Sequence, residues 1–158
     1  MREFLCEHEC ELSVEEFWRI RYDLGFDLFC AEESSATSQG STSVVTVCNE
    51  EEKTAEGTLV RRRVKLRFHE NPVPKFLRPL LGSLAGGEDN CFSTTSKEFY
   101  REGPEPRMTF VTHLPGQLSK LVKISGEHWA VPLAPTRCMQ CTIVRVSVKV
   151  PIGSKGIE

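Results

Sequence analysis

The start of the chain alternates between two kinds of side chain. One set of alternate positions holds Phe4, Cys6, His8 and Cys10, and the positions between them are Leu5 or glutamates. A period of two is typical of a half-buried β-strand. We therefore expect a first strand whose less polar face, His8 included, points into the protein.

Helix signals follow this strand. Ser13 and Glu16 have the spacing of a capping box, and Phe17 and Ile20 begin an apolar helical face. Gly25 interrupts the pattern. A second short helix is predicted over the segment FDLFCAEES, before the polar loop SSATSQGST.

The remainder of the chain is predicted to be mostly strands. The segments STSVVTVCNEEE and TLVRRRVKLRF are spaced as a hairpin around a turn at residues 55–57. Further strands are predicted in CFSTTSKEFY, MTFVTHL, LVKISGEHWAVPL and CTIVRVSVKV. Between the hairpin and these strands, three prolines break the pattern around the apolar stretch FLRPLLGSL. The order is one strand, two short helices and about six strands.

Composition narrows the classes of protein. The chain has 158 residues, a net charge of −2 and 27% charged residues, which is the balance of one ordinary globular domain and not of a nucleic-acid-binding protein. It contains no apolar run of membrane-spanning length and no signal-peptide pattern at the N-terminus. The seven cysteines are therefore expected to be reduced thiols in a cytoplasmic protein.

This pattern resembles the START-related lipid-binding superfamily (SRPBCC, birch-pollen-allergen-like). The resemblance covers nearly the whole chain and rests on SVEEFWRIRYDLGFDLF, HENPVPKFLRPLLG and the closing VKVPIGSKGIE. It implies an α+β helix-grip fold: a strongly curved antiparallel sheet of about seven strands, two short helices after the first strand and a long C-terminal helix. The sequence ends at Glu158, where that helix would begin. We expect a single START-like domain over residues 1–158 that lacks most of the closing helix.

The resemblance also implies a cavity for a hydrophobic ligand of the lipid or sterol class, bound or transferred without a cofactor. On this basis the expected ligand-binding residues are His8, Arg62, Val64, Leu66, Phe68, Phe110, Trp129, Val144 and Val146. The apolar stretch supplies a candidate lid or membrane-touching loop with Phe76, Leu77, Leu80 and Leu81. Transient contact with a membrane surface is a further expectation, and the oligomeric state stays open.

Arg62 is the charged residue among these positions. Alternation places it on the same face as Val60 and Val64, where an unpaired charge would be unfavourable, so it could bind a ligand's carboxylate or phosphate. The alternatives are a bulge that moves Arg62 to the outside of the sheet, or pairing with an aspartate or glutamate at the rim. The opposite face carries a basic row, which is expected to be solvated and to lie across from acids at residues 50–52: Arg61, Arg63, Lys65 and Arg67.

No metal site is expected from the cysteines. Cys6, His8 and Cys10 span roughly 13 Å on one face of a strand, too far for two thiolates to share a zinc ion at about 2.3 Å. Cys138 and Cys141 have CxxC spacing, but positions i and i+3 of a strand point apart. A site that combines both pairs is the less favoured alternative.

A binding protein is favoured over an enzyme. The enzymatic alternative is a cyclase or dehydrase that uses the same cavity, with His8 and either Tyr100 or Glu98 as acid and base. The third possibility is a ligand-free interaction module that fills the cavity with its own side chains.

Overall fold

The structure, a computed structural model, describes residues 1–37, 42–68, 92–101, 106–114 and 118–149. In these ranges the order of elements is β1 (Arg2–Cys10), α1 (Val14–Tyr22), α2 (Leu24–Thr37), β2 (Thr42–Thr54), β3 (Gly57–Phe68), β4 (Phe92–Tyr100), β5 (Arg107–His113), α3 (Leu118–Leu121), β6 (Val122–Ala134) and β7 (Arg137–Val148). The predicted order of one strand, two helices and six strands is confirmed, and the one-turn helix α3 is an addition to it.

All seven strands join one antiparallel sheet. Its spatial order is β1-β7-β6-β5-β4-β3-β2, so consecutive strands from β2 to β7 are neighbours and β1 pairs with β7 at one edge. The predicted α+β class with a seven-stranded antiparallel sheet is confirmed. The predicted start of a C-terminal helix after residue 149 and the candidate lid within residues 69–91 lie outside the described residues.

Local sequence signals fix the two helices. The amide of Glu16 donates to Oγ of Ser13 (3.2 Å), and the amide of Ser13 donates to Oε2 of Glu16 (3.0 Å), which confirms the capping box. The predicted interruption at Gly25 was wrong, because α1 ends with Asp23 as its C-cap and Gly25 lies within α2. Oδ1 of Asp23 accepts from the amide of Gly25 (2.7 Å), so Asp23 satisfies an amide at the start of the next helix.

The β2–β3 hairpin places the basic row on the solvent side of the sheet. Its tight turn ends at Gly57, whose φ of 126° is accessible to glycine and strained for other residues. Arg61 lies opposite Glu50 and forms ion pairs with Glu52 (2.8 Å) and Glu98 (3.4 Å). All four residues of the basic row are exposed, so the prediction of a solvated face is confirmed.

Helix α1 packs against the other face of the sheet, which we call the inner face. Phe17 and Trp18 of α1 are buried against Val60, Phe99 and Met108 from three neighbouring strands, with Cys138 completing the cluster. Burial of an aromatic or branched side chain contributes about 1.5–3 kcal/mol to folding. The core therefore occupies one end of the inner face and leaves the rest of that face available for a site.

Strand β1 departs from its predicted burial. The register places Cys6 opposite Thr142 and His8 opposite Gln140, so the expected face of β1 does point to the inner side. However, Phe4, Cys6 and His8 are exposed, and on this face of β1 the half-buried residue is Cys10. The expected burial was wrong because α1 covers the inner face only at the end where Cys10 lies.

Candidate functional site

A cavity of about 300 Å³ lies on the inner face, between α1 and the sheet and next to the core. Alternate positions of four neighbouring strands line it, as the period of two requires. Its walls combine apolar side chains with hydroxyl, amide and cationic groups: Arg21, Thr95, Lys97, Met108, Phe110, Thr112, His128, Gln140 and Thr142.

Arg21, His128 and Thr142 form a hydrogen-bonded chain along this cavity. Nε and Nη2 of Arg21 both donate to Nε2 of His128, at 3.2 and 2.5 Å. The proton of the neutral imidazole therefore sits on Nδ1, which donates to Oγ1 of Thr142 (2.5 Å). Burial, reinforced by the charges of Arg21 and Lys97, lowers the pKa of His128 to about 4. His128 is accordingly neutral at physiological pH.

A second polar cluster forms the side of the cavity nearest α2. Asp27 accepts from Nη1 of Arg62 (2.9 Å) and from Nζ of Lys97. Arg62 also donates to Oδ1 of Asn49 (3.1 Å) and to the backbone carbonyls of Tyr22 (2.7 Å) and Asp23 (3.3 Å). The guanidinium thus ties β3 to the junction of α1 and α2.

Phe110 forms an apolar wall of the cavity because Gly126 faces it on β6. A Cβ atom at position 126 would come within 2.4 Å of Cζ of Phe110 and 2.1 Å of the carbonyl oxygen of Ile143. Only glycine leaves room for the ring and for the neighbouring backbone at this point.

The residues expected from the sequence are distributed over the inner face and beyond it. Phe110 lines the cavity, and Val64 is buried on the inner face in register with the cavity residue Thr95. Alternation from these positions assigns three further half-buried residues to the same face: Leu66, Val144 and Val146. The side chain of Phe68 lies outside what the structure describes.

Three other expected residues do not reach the cavity walls. Trp129 lies on the opposite face of the sheet from His128, with the guanidinium of Arg107 5.8 Å from its ring. His8 is exposed on β1, beside the cavity residue Gln140. Arg62 is buried with its donors directed to groups of the protein, which is the pairing alternative raised from the sequence.

The alternative acid–base set is not brought together. His8 lies on the inner face of β1, whereas Tyr100 and Glu98 occupy the outer positions of β4 on the far side of the sheet. Glu98 is engaged with Arg61 there.

The cysteines are positioned by strand pairing. Cys10 and Cys138 are direct partners across β1 and β7, while Cys141 points to the outer face. Burial raises the pKa of both Cys138 and Cys141. In the described part of the chain, no three His, Cys, Asp or Glu side chains are grouped so as to hold a metal ion.

Sequence reasoning missed most of the polar cavity wall. Arg21 follows Phe17 by four positions, so helical periodicity could have placed it on the buried face of α1. Lys97 alternates with Phe99 and Thr95 on β4, which was a readable signal of a shared face. No short-range sequence pattern indicates that either residue lies near His128.

A wider groove of about 800 Å³ runs along the other side of α1. It is lined by Val14, Glu15, Trp18, Arg19, Tyr22, Asp23, Arg101 and Pro106. Two of its lining residues, Arg101 and Pro106, flank residues 102–105 in the sequence, which the structure does not describe. We therefore place the candidate site in the cavity on the inner face.

Comparison with solved structures supports the fold. The ZhuI aromatase/cyclase from Streptomyces sp. R1128 aligns over 94% of this chain and 69% of its own, at 14% identity and a TM-score of 0.52. The di-domain aromatase/cyclase BexL of the BE-7585A biosynthetic pathway aligns over 94% of this chain and 36% of its own, at 15% identity and a TM-score of 0.53. Truncated norcoclaurine synthase from Thalictrum flavum aligns over 94% and 76%, at 14% identity and a TM-score of 0.50.

The chain therefore shares the fold of these proteins, in agreement with the α+β helix-grip fold expected from its sequence. At these identities the similarity establishes the fold alone, because one fold hosts many activities. No protein-family model matches the sequence, and the search of curated proteins gives no match. Among the described helices, none has the length and apolar character needed to cross a bilayer.

Proposed function

We propose that this protein binds a small, largely apolar molecule of the lipid class in the cavity on the inner face. The observation that carries the proposal is the cavity itself, which lies between α1 and the sheet and is lined by both apolar and polar side chains. A volume of about 300 Å³ is at the lower end of the range of small-molecule sites. Transfer of the ligand, with a lid at Phe76, Leu77, Leu80 and Leu81, belongs to the same proposal.

The shape of the site fits an amphipathic ligand better than a purely apolar one. Met108 and Phe110 offer apolar contact, while Thr95, Thr112 and Thr142 present hydroxyl groups on neighbouring strands. Hydroxyls of Thr95 and Thr112 bond to each other at 3.0 Å and can turn toward a ligand. A ligand with an apolar body and a polar head can contact both kinds of side chain. Beyond the cavity, Val64, Leu66, Phe68, Val144 and Val146 are the proposed contacts of the apolar body.

Binding is favoured over acid–base catalysis at His128. The lone pair of Nε2 already accepts from Arg21, and a pKa of about 4 makes the ring a weak base. The structural neighbours include a cyclase and a synthase, so a cyclase or dehydrase in the same cavity is the alternative function. Turnover of a small apolar substrate by the purified chain, lost when the cavity is filled in Thr112→Trp, would be needed to support it.

A pair of variants on β5 tests the binding site. Thr112 lines the cavity, and Thr109 is exposed on the outer face of the same strand. Thr112→Trp should fill the cavity, because the indole occupies the space that a ligand would take. Binding of a neutral fluorescent reporter such as 1-aminoanthracene should therefore weaken by about tenfold or more. Thr109→Trp is the matched control and should bind the reporter as the wild type does.

Native mass spectrometry of the same three purified proteins identifies any apolar molecules that co-purify with them. The proposal predicts bound ligand on the wild type and on Thr109→Trp, and its loss from Thr112→Trp. Equal binding by both variants, with both folded, would place any ligand elsewhere and reject the proposed cavity.

A further inference from the structure

Arg21 is a half-buried cation without an acidic partner among the described residues. Its guanidinium lies 5.7 Å from the ring of Phe17 and 4.9 Å from the ring of Phe26, and its hydrogen-bond acceptor is the neutral His128. Burial lowers the pKa of Arg21, which reflects the unfavourable removal of its charge from water. A partly desolvated guanidinium is stabilised when an anion pairs with it.

Among the side chains that the structure describes, no carboxylate forms an ion pair with Arg21. Asp27, the carboxylate of the adjoining cluster, is shared between Arg62 and Lys97. Glu51 on β2 forms its ion pair with Arg101. Among the described side chains at this end of the cavity, three cations therefore face one carboxylate, that of Asp27.

Unused hydrogen-bond donors beside the cavity also favour an anionic ligand. Nε and one hydrogen of Nη2 of Arg21 are used by His128, whereas Nη1 has no acceptor in the described part of the chain. Thr142 accepts from His128 and keeps its own hydroxyl hydrogen for a further partner. A planar carboxylate matches the fork of a guanidinium with two parallel hydrogen bonds.

We infer that the ligand of this cavity is a monocarboxylic acid with an apolar body, and that Arg21 binds its carboxylate. The inference rests on the proposed function and gives it a substrate class. The carboxylate contacts Arg21 and the hydroxyl of Thr142, and the apolar body extends along Phe110 toward the open part of the inner face.

A carboxylic acid and the amide with the same alkyl chain distinguish the contribution of the charge to binding from that of the apolar body. Displacement of 1-aminoanthracene from the full chain is measured with decanoic acid and with decanamide at neutral pH. Because a hydrogen bond to a charged group is worth more than a neutral one, the wild type should prefer the acid by about tenfold or more. Arg21→Gln should abolish the preference and leave binding of the amide within about threefold, since the apolar contacts remain.

Two further variants control for charge and folding. Arg19→Gln removes an exposed cation from the last turn of the same helix, on the side of the wider groove, and should retain the preference for the acid. Arg21→Lys keeps the positive charge but lacks the planar guanidinium, so it should retain part of the preference for the acid. Circular dichroism of each variant establishes that it is folded.

The outcomes distinguish this inference from the proposed function. Equal binding of acid and amide by the wild type, or a preference that survives in Arg21→Gln, overturns the inference and leaves the binding site standing. If neither compound nor the reporter binds the folded wild type, the proposed function fails and the inference fails with it.

Discussion

His128 is neutral because burial removes its ring from water and the charges of Arg21 and Lys97 oppose a further proton. Arg21 donates to one ring nitrogen and Lys97 lies near enough to oppose a proton, while Thr142 accepts from the other nitrogen. An imidazolium here would have to displace Arg21. The neutral ring therefore holds Arg21 and Thr142 by hydrogen bonds beside the cavity.

Acidification should reduce stability through His128. The pKa falls from 6.5 to about 4 on folding, so between these pH values the unfolded chain binds a proton that the folded chain does not. The loss is at most about 3 kcal/mol, and less where cavity water solvates the ring. Urea unfolding across this pH range should give a steeper decline for the wild type than for His128→Gln. Identical declines would show that the ring titrates normally in the folded state.

Gly126 shows how a missing side chain shapes the cavity. Gly126→Ala should lower the free energy of unfolding by about 1–3 kcal/mol, because overpacking forces Phe110 and the backbone at Ile143 to move. The reporter should also bind more weakly, since Phe110 is a cavity wall. Thermal unfolding and reporter titration measure the two effects.

Gly25→Ala is the control for this change. Gly25 lies in α2, and a Cβ there meets the flexible side chain of Asp23 at 3.1 Å. Alanine favours a helix over glycine by about 1 kcal/mol, so this variant should be as stable as the wild type or slightly more so. If both alanine variants behaved alike, the close approach at Gly126 would be refuted.

At the scale of elements, Arg62 joins β3 to both helices. Its side chain is 2% exposed and that of Asp27 is 7% exposed, so this ion pair is not a surface contact. Carbonyls at the end of α1 and a carboxylate at the start of α2 both accept from the same guanidinium. The guanidinium therefore connects the end of α1 and the start of α2 to the sheet.

Removal of the carboxylate should destabilise this junction strongly. Asp27→Asn leaves Arg62 and Lys97 without their anion, and breaking a buried pair from one side costs about 3–5 kcal/mol. Glu98→Gln, which removes an exposed partner of Arg61, should cost less than about 1 kcal/mol. Chemical denaturation compares the two, and a similar small loss for both would contradict a buried role for Asp27.

For the whole molecule, thiol labelling tests the arrangement of the strands. Cys6 and Cys48 are exposed and should react with iodoacetamide in the folded protein. Cys138 and Cys141 are buried, and burial raises the pKa of each thiol, so they should be protected until the chain unfolds. Peptide mass spectrometry before and after denaturation reads each site. Early labelling of Cys138 would show that β7 is not packed as described.

The succession of strands and helices could be predicted because its signals are local. Alternation along β3 and the capping box at Ser13 each lie within a few residues. The cavity could not be predicted in this way, since its central hydrogen bond joins Arg21 to His128 across 107 positions of sequence. Arg62 illustrates the difference: its face was readable from β3, but its partner Asp27 lies in another element.

The central claim is that a small apolar ligand binds between α1 and the inner face of the sheet. Nuclear magnetic resonance of the labelled chain, titrated with 1-aminoanthracene, tests it most directly. Binding in this cavity should shift the resonances of Thr95, Phe110, Thr112, His128 and Thr142 and leave those of Arg19 and Thr109 unchanged. Shifts concentrated instead along the wider groove at Val14, Glu15 and Arg101, or no shifts in a folded chain, would contradict it.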